Sequence, residues 1–570
     1  MKPEETEAAI RKVVQDAIRD LPRVLINTTS GRLLNKSEQA FMFESSPVFT
    51  ELVSSMTTYI DTTRVEHEVA QYYRYATFSH KWEENEPLFE RVVHIVVYDL
   101  EESLTHDKLQ MFCKIVRDAG FNWAWSDNCC INKQDHVVLQ EALVAMFKWY
   151  EGSALMIVFL RGVRSPSKRS DLVRSIWNSR AWTFQEYHAA KVVRFYTEDW
   201  TPYMNLDIPN HKESPEIISE MEEATGISAR ALRALRPGLN DIREKLSLAS
   251  RREATLVEDA AYSLFGIFAV SLSVVYGEGD RALGRLLAHL LASSGDTSIL
   301  AWVGKSGSFN SCLPADITVF NQLPTTHIPP AFEETTMDTV TAELRASSLN
   351  LTLATRLYDR LNDLPVPSLS GKRIKIPCIT FKLGRPRCTS EHVFQAKADA
   401  LGIVEITTTE DLSQLDSVYL IHPWIDFLLD RQPVGGGEDA LAEVDTADGS
   451  LLHGPSSLPG PSNIALIQRT PTTKVVARLR KSLGARLAKP IHDSASLSSP
   501  SRVSLTDKRM QVLRFIAHLR QPFGPLLLTP TRHNVAEYRR VATDSMSTVR
   551  VQKDTSLTDL IPNVRTLDVL

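Results

Sequence analysis

The stretch "NSRAWTFQEYHAAKVVRFYT", residues 178–197, predicts the end of a helix followed by a strand. The helix is expected over 169–189, and the apolar run at 191–197 has the length and composition of a strand. Trp182, Gln185 and Glu186 stand just before that strand. Glu186 can therefore either hold the helix in place or act on a substrate, and the neighbouring sequence has to distinguish these roles.

The same alternation of strands and helices extends upstream of this stretch. Short apolar runs predict strands at 75–79, 122–127 and 154–160, and the last of these is typical of a strand buried on both faces. Apolar residues at helical spacing predict helices at 108–120 and 139–150. The resulting order βαβαβαβ favours an α/β fold with a parallel, doubly wound sheet.

Changes of pattern divide the chain into six predicted regions. They are a helical N-terminal extension (1–70), the α/β core (71–203), a helical segment (204–300), a β-rich region (301–431), a disordered insertion rich in Gly, Ser and Pro (432–505), and the end of a C-terminal β-rich domain (506–570). The strand candidates of the C-terminal half are "RIKIPCITFKL" (373–383), "SVYLIHPWIDFLL" (417–429), "FGPLLLTPT" (523–531), "EYRRVAT" (537–543) and "TVRVQ" (548–552).

The composition is that of an ordinary globular protein and argues against several classes of function. The 570 residues carry 64 basic and 69 acidic side chains, a net charge of −5, so no overall positive field favours nucleic acid or an anionic membrane. Six cysteines are too few for a disulfide framework, and no window reaches the roughly 18 apolar residues of a membrane span. The N-terminus lacks a signal-peptide pattern, so we expect a cytoplasmic protein. We also expect no transmembrane segment and no resident cofactor.

Polar and aromatic side chains gather at the ends of the predicted strands. They are Ser79, His80 and Trp82 after the first strand, Asp127, Asn128, Cys129 and Cys130 after the second, Arg161 after the third, and Arg180, Trp182, Gln185 and Glu186 before the fourth. Parallel doubly wound sheets bind ligands at the carboxyl ends of their strands. The distribution therefore predicts a binding or catalytic site at this edge of the sheet.

Each of these residues also has a purely structural interpretation. His80 can bond a turn, Asp127 can cap one, and the tryptophans can be core anchors. The adjacent Cys129 and Cys130 suggest a nucleophile paired with His80, but buried inert thiols are the simpler interpretation. The two cysteines also lack the spacing of zinc ligands, so no metal is expected.

The glycine-rich stretch "YGEGDRALG" at 276–284 is the other place where a nucleotide-binding loop has to be considered. It follows a helical block and lacks the Lys-Ser/Thr pair of a phosphate-binding loop. The sequence therefore does not predict nucleotide binding there.

Three blocks of the sequence resemble the motifs of the fungal heterokaryon-incompatibility (HET) domain. They are "YATFSHKW" (75–82), "FNWAWSDNCCINKQD" (121–135) and "SRAWTFQEYHAAKVVRFYT" (179–197), in the order found in that family. Further on, "RREATLVEDAAYSLFGIF" (251–268) and "VYGEG" (275–279) resemble the helical segment that commonly follows a HET domain.

The resemblance implies a role in fungal non-self recognition, in which HET domains are linked to growth arrest and programmed cell death. It also implies a flavodoxin-like parallel sheet related to the Toll/interleukin-receptor (TIR) domain, self-association through the HET domain, and a protein partner whose identity is unknown. Three positions depart from the family pattern and bear on loop geometry: Glu83 and Ala181 stand where the family has Gly, and Ser126 where it has a hydrophobic residue.

Many TIR domains cleave NAD with a Glu in a Ser-x-Trp-Cys-x-x-Glu pattern, and residues 179–186 run Ser-x-x-Trp-Thr-x-x-Glu. By this analogy NAD would be a substrate, and Glu186 would stabilise an oxocarbenium-like state. The resemblance then implies roles for the other residues. Trp82 or Trp182 would stack on a planar ring of the substrate, and Arg161 or Arg180 would bind its pyrophosphate. His80, Asp127 and Gln185 would orient the substrate or Glu186, and Ser79 would be a further substrate-binding residue.

The alternative is a non-catalytic self-association and signalling module. In that case Trp182, Gln185 and Glu186 fix their helix against the last strand, and Glu186 pairs with Arg180 or His80. Exposure of Glu186 to a pocket shared with His80 or Asp127 distinguishes the catalytic interpretation from this one.

Overall fold

A computed structural model describes residues 3–56, 58–321, 350–408, 410–415, 417–423, 505–519, 523–531, 534–541, 543, 549 and 555–570. Met1–Asp426 and Gln511–Leu570 form one compact unit, and Phe427–Met510 form a second. The site discussed below lies in the first unit. The predicted insertion at 432–505 lies outside the described residues, apart from Leu505.

Six strands form the sheet of the N-terminal half: β1 Val24–Asn27, β2 Leu33–Asn35, β3 Tyr75–His80, β4 Trp123–Trp125, β5 Leu155–Leu160 and β6 Val193–Thr197. Their order across the sheet is β2-β1-β4-β3-β5-β6. Strands β3 to β6 run parallel to one another, and in chain order these four occupy the sheet as 2-1-3-4. The predicted α/β class with a parallel sheet is confirmed, and the strand order reverses between β3 and β5.

Nine helices precede or connect these strands in the described residues: α1 Pro3–Ile18, α2 Lys36–Glu44, α3 Pro47–Ser55, α4 Thr62–Tyr72, α5 Phe89–Val92, α6 Leu104–Asp118, α7 His136–Gly152, α8 Ile176–Ser179 and α9 Ala181–Ala189. Helices α6 and α7 begin earlier than their apolar periodicity predicts. Their first turns are held by N-caps, because the side chains of Ser103 and Asp135 accept hydrogen bonds from backbone N–H groups of those turns.

The N-terminal extension also contributes to the sheet, which the helical prediction for residues 1–70 did not include. Strands β1 and β2 form an antiparallel hairpin, and β1 pairs antiparallel with β4. These strands have only four and three residues, so they show no alternation long enough to indicate a strand. Burial of Leu25 and Ile26 against the core stabilises them instead.

The single helix predicted over 169–189 is wrong at two places. Residues 169–175 are not helical and precede α8, and the remaining helix is interrupted at Arg180, whose backbone is extended with φ −79° and ψ 138°. A neighbouring segment pairs with the chain at this point. Ala181 N–H donates to the Glu253 carbonyl at 2.8 Å, and Glu253 N–H donates to the Ser179 carbonyl at 2.6 Å. The break is therefore set by a contact from a distant part of the sequence, and local periodicity does not report it.

The segment after the sheet is helical in the described residues, as predicted. Its helices are α10 Pro215–Thr225, α11 Ala229–Ala234, α12 Ile242–Ala249, α13 Asp259–Tyr262, α14 Phe265–Phe268 and α15 Arg281–Ser294. Helix α14 contacts α7, and α13 contacts α9. The helical segment therefore packs against the helices of the parallel sheet.

The C-terminal region is rich in strands, as predicted, and also holds helices α16 Leu351–Asn362, α17 Leu505–Leu519 and α18 Leu557–Leu560. The strands are β7 Ser368–Ser370, β8 Arg373–Lys382, β9 Arg387–Ser390, β10 Val393–Ala398, β11 Gly402–Thr407, β12 Tyr419–Pro423, β13 Leu526–Thr531, β14 Asn534–Arg540 and β15 Val564–Val569. Pairings join β8, β12, β13, β14 and β15 into a closed ring, while β9, β10 and β11 form a small separate sheet.

Three of the predicted strands fall partly outside the described residues, and in the candidate at 537–543 this concerns residue 542 alone. The candidate at 417–429 is a strand only over Tyr419–Pro423, and 424–429 are not described. Of 548–552, Val549 alone is described, and it pairs with Phe523. Over the part of the chain that the structure describes, we find no helix with the length and apolar character needed to cross a membrane.

Candidate functional site

A buried hydrogen bond between Ser79 and Glu186 joins strand β3 to helix α9. The Ser79 hydroxyl donates to Glu186 Oε2 at 2.5 Å and accepts from the Trp177 indole N–H at 2.7 Å. One hydroxyl can serve both neighbours because it has one proton and two lone pairs. Glu186 is 6% exposed, so the carboxyl group is held almost entirely inside the protein at the carboxyl end of β3.

The environment of Glu186 favours its protonated form. Burial, followed by the negative charge of Asp127, raises the pKa of Glu186 to about 7, although Ser79, Arg180 and Arg252 act in the opposite direction. At neutral pH the carboxyl group is therefore divided between its two protonation states. Such a pKa suits acid–base chemistry, and buried structural carboxyls reach it as well.

Asp127 is the more exposed of the two carboxylates and follows strand β4. The Trp82 indole N–H donates to its two carboxylate oxygens, at 3.1 and 3.3 Å. Lys133 Nζ lies 3.1 Å from the centroid of the Trp82 ring, a cation–π contact. Burial lowers the pKa of Lys133, and the charge of Asp127 partly offsets this effect. Asp127, Trp82 and Lys133 therefore form one partly exposed cluster within electrostatic range of Glu186.

Tyr150 of helix α7 lies close to both carboxylates, and no sequence motif predicted it as a site residue. Its hydroxyl donates to the Phe78 carbonyl at 3.0 Å. Burial, together with the charges of Glu186 and Asp127, raises the pKa of Tyr150 well above its usual value. The phenol therefore stays protonated at this edge of the sheet and remains a hydrogen-bond donor.

His80 belongs to a different network, although it follows Ser79 directly. Successive side chains of a strand point to opposite faces, so His80 points away from the face on which Ser79 meets Glu186. Its ring stacks on Phe78, and Nε2 lies 3.6 Å from Glu86. Burial and the charge of Lys108 lower the pKa of His80. The predicted grouping of His80 with Glu186 in one site is not observed.

Glu86 and Lys108 form the charged centre of this second network. Lys108 Nζ lies 2.5 Å from Glu86 Oε1, and the amide of Asn128 donates to Glu86 Oε2 at 2.9 Å. Burial works against the ionised form of Glu86, but His80 and Lys108 lower its pKa to about 2. Glu86 and Lys108 therefore form a buried ion pair, whereas neither ring nitrogen of His80 has a hydrogen-bond partner among the described residues.

Arg161 is held between two carboxylates. Its Nε lies 2.6 Å from Glu83, and one of its terminal nitrogens lies 2.6 Å from Glu198. Glu83, which stands where the HET family has Gly, also lies 3.4 Å from Lys108. The guanidinium is thus already neutralised, which leaves it poorly suited to the pyrophosphate predicted for it.

The remaining predicted residues surround helix α9 without converging on one point. Arg180 donates to the His80 carbonyl at 2.5 Å, and the Trp182 indole hydrogen-bonds Asp259. Gln185 is buried, and its amide nitrogen lies 3.7 Å from Met146 Sδ. Its amide oxygen has no hydrogen-bond partner among the described residues. Glu186 pairs with Ser79, and not with Arg180 or His80 as the structural alternative predicted.

Arg252, which sequence reasoning did not single out as a site residue, lies next to α9. It comes from the "RREATLVEDAAYSLFGIF" stretch and donates to Thr183 Oγ1 at 2.8 Å and to the Arg180 carbonyl at 3.1 Å. Burial lowers its pKa to about 10, and the charge of Glu186 opposes this shift. The stretch at 251–268 that contains Arg252 was recognised as a motif, but its closeness to Glu186 depends on the fold.

The "VYGEG" stretch binds a carboxylate of its own chain. Glu258 Oε1 accepts hydrogen bonds from the N–H groups of Gly277 and Gly279, at 2.8 and 2.9 Å. Both glycines have positive φ angles, 94° and 61°, so other residues would be strained there. The loop has the backbone geometry of an anion cradle, and its anion is an internal glutamate.

The adjacent cysteines lie in the interior. Cys129 and Cys130 are both buried, and burial raises the pKa of Cys129 well above its usual value. A nucleophilic cysteine needs the opposite shift, because the thiolate is the reactive form. The arrangement fits the inert-thiol interpretation.

Comparisons with known proteins agree with the motif resemblance. Residues 75–172 match the model of the family described as heterokaryon incompatibility protein (HET), so the chain contains a HET domain. The chain is also 32% identical over 227 residues to vegetative incompatibility protein HET-E-1 of Podospora anserina. That match covers 37% of this chain and 16% of the relative. No solved structure matches the chain.

Proposed function

We propose that this chain acts in vegetative incompatibility, through a HET domain that cleaves NAD when copies of the chain self-associate. The HET domain and the similarity to a vegetative incompatibility protein support the first part. The observation that carries the second part is the buried carboxyl of Glu186, whose pKa is raised to about 7 by burial and by the charge of Asp127. Growth arrest and cell death are the proposed outcome, triggered by a protein partner.

The topology supports a TIR-like, flavodoxin-like interpretation of the core. The order 2-1-3-4 of its parallel strands is the beginning of the flavodoxin-type order 2-1-3-4-5. In such sheets the ligand binds where the strand order reverses, outside the carboxyl ends of the strands. Here that position lies between β3 and β5, and Ser79 stands at the end of β3. The proposed NAD site is therefore the edge that holds Ser79, Glu186 and Asp127.

Glu186 in its ionised form is suited to stabilise positive charge on the ribose. Cleavage breaks the bond between ribose C1′ and the nicotinamide nitrogen, and both bonding electrons leave with nicotinamide. The carboxylate offsets the positive charge that develops on the sugar and accepts hydrogen bonds from its hydroxyls. A water oxygen then bonds to C1′, and the proton it releases passes to Asp127 and on to solvent. The partly exposed Trp82 and Arg180 remain the proposed contacts for the planar ring and the pyrophosphate.

Expression in fungal cells tests the proposed role. The full chain, fused to a domain that dimerises on addition of a small molecule, should deplete cellular NAD before growth stops. Glu186→Gln should abolish both effects, whereas Glu84→Gln, a control at an exposed glutamate, should leave both unchanged. Growth arrest with an intact NAD pool would reject the enzymatic part and keep the incompatibility role, and normal growth would reject the role itself.

The burial of Glu186 favours a second candidate, a non-catalytic self-association module. Glu186 is 6% exposed, and its carboxyl group accepts a hydrogen bond from Ser79. Arg252 donates a hydrogen bond to Thr183 of the same helix. In this case Glu186→Gln lowers stability without changing NAD levels. Analytical ultracentrifugation of the full chain should then detect oligomers. Across variants, a larger fraction of oligomer should accompany a stronger growth arrest.

A further inference from the structure

A cavity lies at the C-terminal end of helix α9. It has a volume of about 260 Å³. Its lining residues come from the end of α9, the turn before β6, and the helical segment: Tyr187, His188, Ala189, Ala190, Lys191, Lys212, Ile218, Leu232, Leu235 and Arg236. Residues 187–191 belong to the block at 179–197, but none of the lining residues has a role in the proposed NAD site.

The lining has an uneven charge distribution. Lys191, Lys212 and Arg236 line the cavity, and none of its lining residues is Asp or Glu. Lys191 is exposed, and within the described residues its ammonium has no hydrogen-bond or ion-pair partner. Cations that converge on one concave surface without a carboxylate produce a positive potential there, which favours an anionic ligand.

Lys212 is the most informative of these cations. Its Nζ donates to the carbonyls of Tyr187 and Ala190, both at 2.6 Å, and lies 4.5 Å from the centroid of the Tyr187 ring. Among the described residues no carboxylate lies within salt-bridge distance of it. Burial lowers the pKa of Lys212 to about 8. A partly buried ammonium with only neutral partners lacks a counterion, and an anion in the cavity would supply one.

Apart from His188, the rest of the lining is mainly apolar and limits the kind of anion. Ile218, Leu232 and Leu235 provide aliphatic surface, and Tyr187 provides an aromatic ring. A volume of about 260 Å³ lies just below the usual range of about 300–1,000 Å³ for sites of drug-sized ligands, so an intact dinucleotide is too large. The lining therefore suits a compact ligand with one anionic group and one apolar ring.

We infer that this cavity binds a small phosphate monoester, with the phosphate on Lys191 and Lys212 and the ring against Tyr187 and the aliphatic wall. The ligand would contact the C-terminal end of α9, because Lys212 caps that end through the Tyr187 and Ala190 carbonyls. The inference is independent of NAD cleavage, since it concerns side chains that have no role in the proposed NAD site.

Calorimetric titration of the full chain with phenyl phosphate tests the inference. We expect saturable binding with one ligand per chain, and weaker binding of inorganic phosphate, which lacks the ring, and of phenol, which lacks the anion. Lys191→Glu reverses the charge of an exposed side chain, so the fold is kept and affinity should fall about tenfold. Lys148→Glu, at an exposed lysine of α7 outside the cavity, should change affinity less than about twofold.

Three results would overturn the inference: no saturable binding of phenyl phosphate, equal affinity for phenol, or equal losses in Lys191→Glu and Lys148→Glu. Circular dichroism and thermal melting of each variant establish that the fold is intact. NAD cleavage is measured on the same samples. A chain that binds phenyl phosphate without cleaving NAD supports this inference and contradicts the proposed enzymatic function, and a chain that cleaves NAD without binding phenyl phosphate does the opposite.

Discussion

Ser79 and His80 are neighbours in the sequence but point to opposite faces of the sheet, and this separates two polar networks. Ser79 meets Trp177 and Glu186 on one face. His80 meets Glu86 and the Lys108 ion pair on the other. The first network holds a carboxyl group whose pKa is raised to about 7, and the second a carboxyl group whose pKa is lowered to about 2. Only the first network has the electrostatics expected of acid–base chemistry near neutral pH.

Replacing Asp127 should change the titration of Glu186. Asp127→Asn removes a negative charge that raises the pKa of Glu186, so that pKa should fall below about 7. Because the ionised carboxyl is the active form in the proposed reaction, the midpoint of the pH–activity profile for NAD cleavage should move to lower pH. Asp107→Asn, at an exposed aspartate of α6, should leave the midpoint unchanged. A midpoint that is the same in both variants contradicts the coupling.

Glu186 should also make stability depend on pH. The pKa of Glu186 in the folded protein is about 7, above the ordinary value of 4.5. Its contribution to the free energy of unfolding is therefore complete below about pH 4.5 and is lost as the pH rises through 7. The difference between the pKa values of Glu186 in the folded and unfolded protein corresponds to about 3 kcal/mol of stability, at about 1.4 kcal/mol for each pKa unit. Urea unfolding at about pH 5 and about pH 9 should show the wild type losing this amount relative to Glu186→Gln. A constant difference between the two proteins at both pH values would contradict the raised pKa.

At the scale of elements, helix α9 follows the matched residues 75–172 and is positioned by contacts from further along the chain. The helix starts at Ala181 because the chain at Glu253 pairs with Ser179 and Ala181. Arg252 then donates to Thr183 and to the Arg180 carbonyl, within the first turn of α9. The helical segment therefore fixes the position of the element that carries Glu186.

Removing the Arg252 guanidinium should destabilise the protein and disturb the site. Arg252→Met keeps much of the side chain's length but leaves the Arg180 carbonyl without this donor in a buried position, which costs about 1–3 kcal/mol. It also removes a positive charge that lowers the pKa of Glu186, so that pKa should rise. Urea unfolding measures the first effect, with Arg174→Met, an exposed arginine, as the control. Equal stability of the two variants would mean that Arg252 does not hold α9.

The elements that could be predicted from the sequence are those with their own periodicity. Strands β3, β5 and β6 and helices α6 and α7 carry such patterns, and the order βαβαβαβ indicated the parallel sheet. The hairpin β1–β2 and the break at Arg180 could not be predicted, because contacts with β4 and Glu253 determine them. In the site, the strand ends placed Ser79, Asp127 and Glu186 at one edge. The residues Trp177, Tyr150 and Arg252 were missed, since only packing brings them there.

At the scale of the whole molecule, the described parts of the first unit depend on one another. The N-terminal hairpin covers the edge of β4, and the helical segment reaches α9. The C-terminal region is attached to the helical segment through the buried Arg540, which donates to the carbonyls of Leu300 and Trp302 and lies over the Trp302 ring. The matched HET region is thus one part of a larger compact unit.

A fragment that contains only residues 71–203 should therefore fold poorly. It lacks β1, so β4 becomes an unpaired edge strand, and it lacks Arg252 and Glu253 at α9. We expect aggregation or a broad, non-cooperative thermal transition by circular dichroism, whereas the full chain should show a cooperative one. A sharp transition of the fragment at the temperature of the full chain would contradict this account.

The central claim, that Glu186 acts on NAD, is tested most directly by nicotinamide release from the purified full chain. The protein is clustered on vesicles through an affinity tag at about pH 8, where Glu186 is mostly ionised. We expect nicotinamide and ADP-ribose in equal amounts from the wild type and from Glu84→Gln, and at least about a hundredfold less of both from Glu186→Gln. Intact NAD with the clustered wild type, or equal release by Glu186→Gln, would contradict it.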